Sequence, residues 1–209
     1  MKKDYINTIN IYRQLGKKYL KDIKNGEPKT ISDFLNQLKP KSLILDVGCA
    51  GGRDAKIFTK AEHQVIGIDI VEEFLKEAKK NVPKAKFKKM DLMNLKFPDN
   101  NFDAIWAMAV LLHFSKTDGK KIIKSFYEIL KPDGYLHIGL KRGGGEKNVK
   151  EKLSNNQNRY FVFYYKYEIE KILKDCSFKI IESSIITDRL GRKNVQWISV
   201  IAQKIIKTC

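Results

Sequence analysis

Cysteine, histidine and long apolar runs are scarce in this chain, and each scarcity excludes something. Three cysteines in 209 residues, Cys49, Cys176 and Cys209, stand far apart with no CxxC pair. Neither a disulfide framework nor a cysteine-built zinc site can be assembled from them, and all three read as reduced thiols. His63, His113 and His137 are dispersed without ligand spacing, so no metal is expected. The longest apolar run, Ala104 to Leu112, is far short of the ~20 residues a bilayer crossing needs. Asp4, Asn7 and Asn10 interrupt any apolar stretch behind Lys2 and Lys3, so no secretory leader is read there. The expectation is a cytoplasmic protein that does not enter a membrane.

Acidic residues are the minority charge: 41 Lys and Arg against 24 Asp and Glu leave +17. Such an excess attracts polyanions, which makes RNA, DNA and anionic surfaces candidate partners. Arginine itself is scarce, however, at six of the 41 basic residues, the other 35 being lysine. The bidentate guanidinium is the favoured reader of phosphates and bases. A lysine excess spread along the whole chain therefore reads as a compositional habit rather than a binding patch.

What is present, 43% hydrophobic and 31% charged residues, is the composition of one globular domain with a sizeable core. Ile6, Ile9, Tyr12, Leu15, Tyr19 and Ile23 recur at helical steps and predict an opening helix that Asn25-Gly26 and Pro28 stop. A second short helix carries Ile31, Phe34, Leu35 and Leu38, with Thr30 and Asp33 resembling a capping box and Pro40 closing it. Apolar, β-branched strands follow over 42–47 and 64–69, each running into a helix, 53–61 and 72–81. Further strands are read at 85–90, 102–106 and 134–140, with a helix over 116–130 before the last of them. A polar stretch from Arg142 to Asn158 precedes a helix at 167–174. Two strands, 178–187 and 195–204, close the chain as an antiparallel hairpin around Gly191. Strand–helix alternation predicts a parallel sheet. Lys84, Lys86 and Lys88 share one face of the third strand. A phosphate-binding stripe and a lysine-guarded sheet edge are the two readings, and the edge is favoured.

The most informative segment is Leu45-Asp-Val-Gly-Cys-Ala-Gly-Gly-Arg-Asp54, between the first strand and a helix. Glycines let the backbone turn tightly and approach a ligand, and the helix N-terminus offers free N–H groups. Asp69, 21 residues beyond Gly48 at the end of the next strand, can accept both hydroxyls of a ribose. A nucleoside-bearing ligand over the carboxyl ends of the strands is implied. A dinucleotide is unsuited, because G-x-G-x-x-G begun at Gly48 needs glycine where Ala50 and Arg53 stand; ATP is unsuited too, because no G-K-[ST] follows.

Asp46 to Gly52 resembles D-x-G-x-G-x-G, the glycine motif of the class I S-adenosylmethionine (SAM)-dependent methyltransferases, with Ala50 in place of the middle glycine. The resemblance continues in the family's order through Val65-Ile-Gly-Ile-Asp69, Met90-Asp-Leu92, Phe97-Pro-Asp-Asn-Asn-Phe-Asp103 with Ile105-Trp-Ala107, and Leu130-Lys-Pro-Asp-Gly134. It covers roughly residues 40 to 204. It implies an α/β, Rossmann-like fold: a seven-stranded, mostly parallel sheet with an antiparallel last strand, helices on both faces, and an N-terminal helical cap. The cap would span residues 1–40 and the SAM-binding part 41–209, together one structural domain. SAM would be the cofactor and S-adenosylhomocysteine the product. By the same resemblance Gly48, Ala50 and Gly52 would line the methionine part of SAM, with Cys49 in that loop and Asp46 orienting it. Asp69 would bind the ribose, and Asp91 would accept from the adenine amino group between Ile70 and Leu92. Ala107 would sit by the sulfonium. Tyr12 and Tyr19 on the opening helix resemble tyrosines that close over SAM.

The residues add their own candidates. Arg53, in the first turn of its helix, could reach the SAM carboxylate or be solvated, and Asp54 is expected to cap that helix. His113 could take a proton from an oxygen or nitrogen nucleophile, or be structural. Trp106, Tyr160 and Tyr164 are read as walls of an acceptor pocket, and Phe161 and Phe163 as core. Because a sulfonium already activates its methyl group, the protein need mainly hold a nucleophile in line and exclude water. A small-molecule methyltransferase, monomeric or homodimeric, is the favoured reading. The alternatives are an RNA (tRNA) methyltransferase, on the five basic and two acidic residues from Lys141 to Lys152, and a non-catalytic SAM-binding module.

Overall fold

The computed structural model describes residues 3–24 and 30–206; Asn25, Gly26, Pro28 and Cys209 lie outside the described residues. Strand β1 (Leu43–Val47) reads Leu-Ile-Leu-Asp-Val with its last four residues buried. That near-continuous apolar run is what a parallel strand covered on both faces requires. β1 pairs in parallel with β2 (Gln64–Asp69) and β4 (Phe102–Met108); β3 (Lys86–Lys89) joins β2, and β5 (Leu130–Lys141) joins β4. Two later strands, β8 (Phe178–Thr187) and β9 (Gln196–Lys204), complete a seven-stranded sheet of order β3-β2-β1-β4-β5-β9-β8, with β9 antiparallel to both neighbours. The expected mostly parallel sheet with an antiparallel last strand is the observed one. β3 is an edge, and Lys86, Lys88 and Lys89 on it are exposed.

Helices cover both faces. On one, α2 (Ile31–Leu35), α3 (Arg53–Lys60) and α4 (Glu72–Asn81) bury Phe34, Phe58, Leu75 and Ala78 against Ile44, Val65 and Ala104. On the other, α5 (Lys116–Ile129) and α6 (Lys166–Asp175) bury Ile123, Phe126 and Leu173 against Ile105, Leu136 and Val200. The opening helix α1 (Lys3–Asp22) contributes Tyr5 and Ile9 to this second core.

Three local expectations are corrected. First, α1 is not continuous: Gly16 takes φ 48°, ψ −130°, a conformation open essentially to glycine, and bends the helix there. Second, Thr30 and Asp33 form no capping box. Thr30 is buried with its hydroxyl 3.4 Å from His137 Nε2, because a helix of five residues pressed into the core points its first side chain inward. Third, the polar stretch 142–158 contains half of an antiparallel ribbon, β6 (Glu146–Lys150) with β7 (Asn158–Val162). A ribbon with one solvated face needs few apolar residues, so its pattern is faint in sequence.

The turn between β8 and β9 is built on Asp188. Its carboxylate accepts from Trp197 Nε1 (2.8 Å), from the Leu190 and Arg192 backbone N–H groups, and from the Arg192 guanidinium. These donors hold the carboxyl well below the usual carboxylate range. Asp188→Ala strands them and is expected to cost about 2–3 kcal/mol, a fall of about 4–12 °C in melting midpoint for a chain of this size. A group with a depressed folded pKa stabilises above its unfolded pKa of about 3.9 and loses that contribution as pH falls below it. The gap between wild type and mutant, followed by scanning calorimetry from pH 7 to pH 3, should therefore narrow only at the acid end.

Candidate cofactor and acceptor site

Sheet order reverses between β1 and β4, and the loops leaving their carboxyl ends diverge to open a crevice. A cavity of about 890 Å³ lies there, within the range of small-molecule sites. Its floor is the 48–52 loop after β1, Asp69 to Val71 after β2, Met90 and Leu92 after β3, and Met108 to Val110 after β4. Its roof is α1, through Tyr5, Thr8, Ile9, Tyr12, Tyr19 and Leu20.

The glycine loop is shaped by close approach. Gly48 has φ 65°, and a Cβ on it would come within 2.9 Å of Val110 Cγ2. Ala50 stands where the resembling motif has glycine, yet holds the same left-handed backbone, φ 45°, at a cost of about 1–2 kcal/mol for an L-residue. What holds it is Asp69, whose Oδ2 accepts from Ala50 N at 3.0 Å while Oδ1 accepts from Val71 N at 2.9 Å. One carboxylate thus ties the first loop to the second. Burial pushes that carboxyl up to about 6, against the pull of its backbone donors. Each oxygen retains a second lone pair for a ligand.

Asp46, at the end of β1, also lines the cavity. It is buried, its Oδ2 has no partner, and burial followed by the nearby Asp54 raises its carboxyl well above the usual range. Cys49 in the same loop is buried with its thiol pushed up, which leaves it unreactive. Arg53 is neither solvated nor free. Its Nε and Nη2 donate to Asp54 Oδ1 and Oδ2 at 2.6 and 2.9 Å, and its Nη1 to the Ile23 carbonyl at 3.2 Å. Asp54 does not cap α3, whose N-cap is Gly52 without a side-chain bond; it also accepts from Trp106 Nε1 at 3.0 Å.

Several expected wall residues face elsewhere. Ile70 and Leu92 line the cavity, but Asp91 is set back, its Oδ1 accepting from Met93 N (2.9 Å) and from the Tyr5 hydroxyl (3.3 Å). Ala107 is fully buried inside β4, and the wall begins at Met108. Trp106 does not border the cavity. It lies on the α3 face, stacked on His137 at 3.7 Å between Phe34 and Phe58. Tyr160 and Tyr164 are core residues, the first donating its hydroxyl to Glu146 and the second packed over Gly119. Strand alternation decides such orientations, and the register that sets it is invisible in one sequence.

His113 does line the cavity, in a 3₁₀ turn at Leu111–His113 after β4. Its Nδ1 is 2.9 Å from the Tyr160 carbonyl; a carbonyl only accepts, so Nδ1 carries the proton and Nε2 accepts from the Tyr12 hydroxyl at 2.9 Å. The Tyr12 oxygen in turn accepts from Arg159 Nη1 at 2.6 Å. Burial, and then the Arg159 charge, lower the imidazole to about 3, so it is neutral around pH 7. Behind Arg159 lies a buried cluster in which Glu151 receives Arg159, Lys141 and, at 3.6 Å, Arg192. The partnership of Tyr12 with His113 joins residues about 100 positions apart and had no signal in local sequence.

A family model described as "Methyltransferase domain" matches residues 45–138, from β1 through most of β5. Over this stretch the chain is similar to methyltransferase domains, and its fold is the one the class I SAM-dependent methyltransferases share. It is 30% identical over 168 residues to a phosphoethanolamine N-methyltransferase of Plasmodium falciparum, covering 77% of this chain and 61% of that one. It is 31% identical over 130 residues to the human probable tRNA methyltransferase 9B, covering 62% of this chain and 28% of that one. The chain thus spans about three-fifths and just over a quarter of these relatives. A SAM-dependent methyltransferase of Methanosarcina mazei superposes with a TM-score of 0.75 at 23% identity, covering 84% and 98% of the two chains. The 1,6-didemethyltoxoflavin N1-methyltransferase of Burkholderia thailandensis, with S-adenosylhomocysteine bound, superposes with 0.76 at 18% identity, covering 97% and 87%. Among the described residues no helix is long and apolar enough to cross a membrane.

Proposed function

We propose that the chain methylates a small-molecule acceptor by in-line displacement, the acceptor lying between α1 and the Met108–Val110 strip beside the Tyr12–His113 pair. The observation that carries this reading is enclosure: α1 closes over a cavity large enough for cofactor and a small acceptor together. The residues present fit the cofactor. Asp46 Oδ2, buried and unpartnered, suits an ammonium group, Asp69 suits ribose hydroxyls, and Ile70 and Leu92 suit the faces of adenine. When bound, SAM supplies a methyl group already activated by its sulfonium. What the chain adds is position, exclusion of water, and a place for a proton.

That place is the Tyr12–His113 pair. An acceptor N–H or O–H can donate to the Tyr12 oxygen while Tyr12 donates to His113 Nε2. Arg159 and Lys141 both depress the imidazole. An acceptor carrying an anionic group would offset them and strengthen the base, which favours an anionic acceptor bearing an amine or hydroxyl. The name of the Plasmodium relative supports such a class. In the segment that favoured RNA, Lys141 is buried against Glu151 and Arg142 is bonded to Gln196, while Lys147, Lys150 and Lys152 remain exposed. Incubation with labelled SAM and either an ultrafiltered small-molecule extract or total tRNA decides the matter: label should enter the ultrafiltrate, and acid-precipitable label on tRNA would reverse the assignment. No label in either would favour a non-catalytic module.

Two further outcomes are expected. Asp69→Ala should weaken SAM binding by about 1–3 kcal/mol in calorimetry. Because ribose hydroxyls donate to the ionised carboxylate, the Asp69 contribution to affinity should be full above pH 7 and fall as pH drops through about 6, up to tenfold per unit, so Asp69→Asn should show a shallower pH dependence than wild type. His113→Asn should reduce kcat by about 10²- to 10³-fold with S-adenosylhomocysteine affinity unchanged, and Tyr12→Phe should fall between it and wild type. A parallel loss of affinity in His113→Asn would remove it from proton transfer.

A further inference from the structure

Six buried side-chain N or O atoms have no hydrogen-bond partner among the described residues, and just two belong to residues lining the cavity: Asp46 Oδ2 and Arg189 Nη1. One is a carboxyl oxygen and the other a guanidinium nitrogen, and both lie within the field of the same Arg53–Asp54 pair. That pair is internally satisfied. Arg53 spends its fork on Asp54 and its remaining nitrogen on the Ile23 carbonyl, while Asp54 also receives the Trp106 indole. Arg189 is thus a second guanidinium beside a carboxylate that already has its partners.

We infer that Arg189 is the carboxylate anchor of the cofactor site and that, with Asp46, it reads the amino-acid end of SAM as a zwitterion. This rests on the SAM reading above and adds a residue beyond the matched stretch, which ends at residue 138. A guanidinium left with an unpaired buried N–H beside another guanidinium has a deficit of negative charge that a carboxylate supplies, and the unpaired Asp46 oxygen has the complementary deficit. Burial and the neighbouring Arg53 lower Arg189 to about 10, so it remains protonated at neutral pH. The loop carrying it is rigid for a physical reason: Asp188, the residue before, is pinned by Trp197, Leu190 and Arg192. Arg189 is thereby presented to the site by the same turn that joins β8 to β9.

The test separates the carboxylate from the rest of the ligand. Affinities for SAM and for decarboxylated SAM, which keeps the sulfonium, ribose, adenine and ammonium, are measured by calorimetry on wild type and Arg189→Ala. The expectation is that wild type prefers SAM and that Arg189→Ala loses about 10- to 100-fold for SAM while its affinity for decarboxylated SAM changes less than threefold. Unchanged SAM affinity, or an equal loss for both ligands, overturns the assignment. Should Arg189→Ala lower the melting midpoint by more than a few degrees, Arg189→Gln, which keeps length and hydrogen bonding, is read by the same ratio. 5′-Methylthioadenosine binding to wild type distinguishes the two levels. Wild type that fails to bind it defeats the nucleoside site itself, whereas wild type that binds it, with no ligand-selective loss in either variant, defeats only the role of Arg189.

Discussion

The hydroxyl of Tyr12 is where the closure of the site is decided. It accepts from Arg159 of β7 and donates to His113 after β4, so a single oxygen ties the roof helix to two elements that approach it from different parts of the chain. The adjoining contacts follow the same line. Thr8 Oγ1, one helical turn earlier, accepts from the Tyr160 backbone, and the Tyr160 carbonyl in turn receives His113 Nδ1. These bonds add to the apolar seat of α1, in which Tyr5 and Ile9 join the core and Tyr19 stacks on Phe74 of α4. Arg159 stacks on Tyr12, Tyr19 and Phe161, which keeps its charge away from water and orders the rings as well. The bend at Gly16 then lets the second half of the helix continue toward α4, where Lys17 meets Glu77 at 3.2 Å.

The other end of the cavity depends on a different device, the reach of Trp106 through the sheet region to Asp54. The indole is packed between Phe34, Phe58 and His137, and its single N–H needs a partner. Asp54 supplies it, and Arg53 neutralises Asp54. The core packing therefore fixes the electrostatics of this end of the cavity: with Arg53 and Asp54 committed to one another, the lining groups left unsatisfied are Asp46 and Arg189.

This division explains what the sequence could and could not convey. The sheet, its switch point and the glycine loop were legible because each is local: a buried apolar run, a glycine turn, an aspartate ending the next strand. Ala50 was legible as a departure and harmless in the fold, since Asp69 holds its backbone in the left-handed region. Side-chain facing was not legible. Trp106 and Met108 are two residues apart on one strand, yet one lies in a closed core and the other, the last residue of β4, borders the cavity. The Tyr12–His113–Arg159 chain was illegible for a further reason. It spans about 150 residues and depends on a ribbon, β6 with β7, whose half-solvated pattern hardly differs from loop.

Charge gives the last step. In a lysine-rich chain with six arginines, the placement of those arginines has a meaning of its own. Arg13 is exposed on α1, but Arg53, Arg142, Arg159, Arg189 and Arg192 all lie in or beside the segments at the carboxyl ends of the strands. Four of these five are partly or fully buried, whereas Lys141 and Lys204 are the buried lysines among the described residues. Lysine serves where a solvated point charge is enough, and arginine stands where a planar fork must satisfy several acceptors out of water. In a chain with this habit of composition, an arginine in a turn such as Asp188-Arg-Leu-Gly-Arg192 is itself a local sign of a buried anion or carboxylate partner. For Arg192 that partner is Asp188; for Arg53 it is Asp54; for Arg159 it is Glu151. Arg189 has the same chemistry without an acceptor for its buried Nη1, which is why the physical argument turns on it.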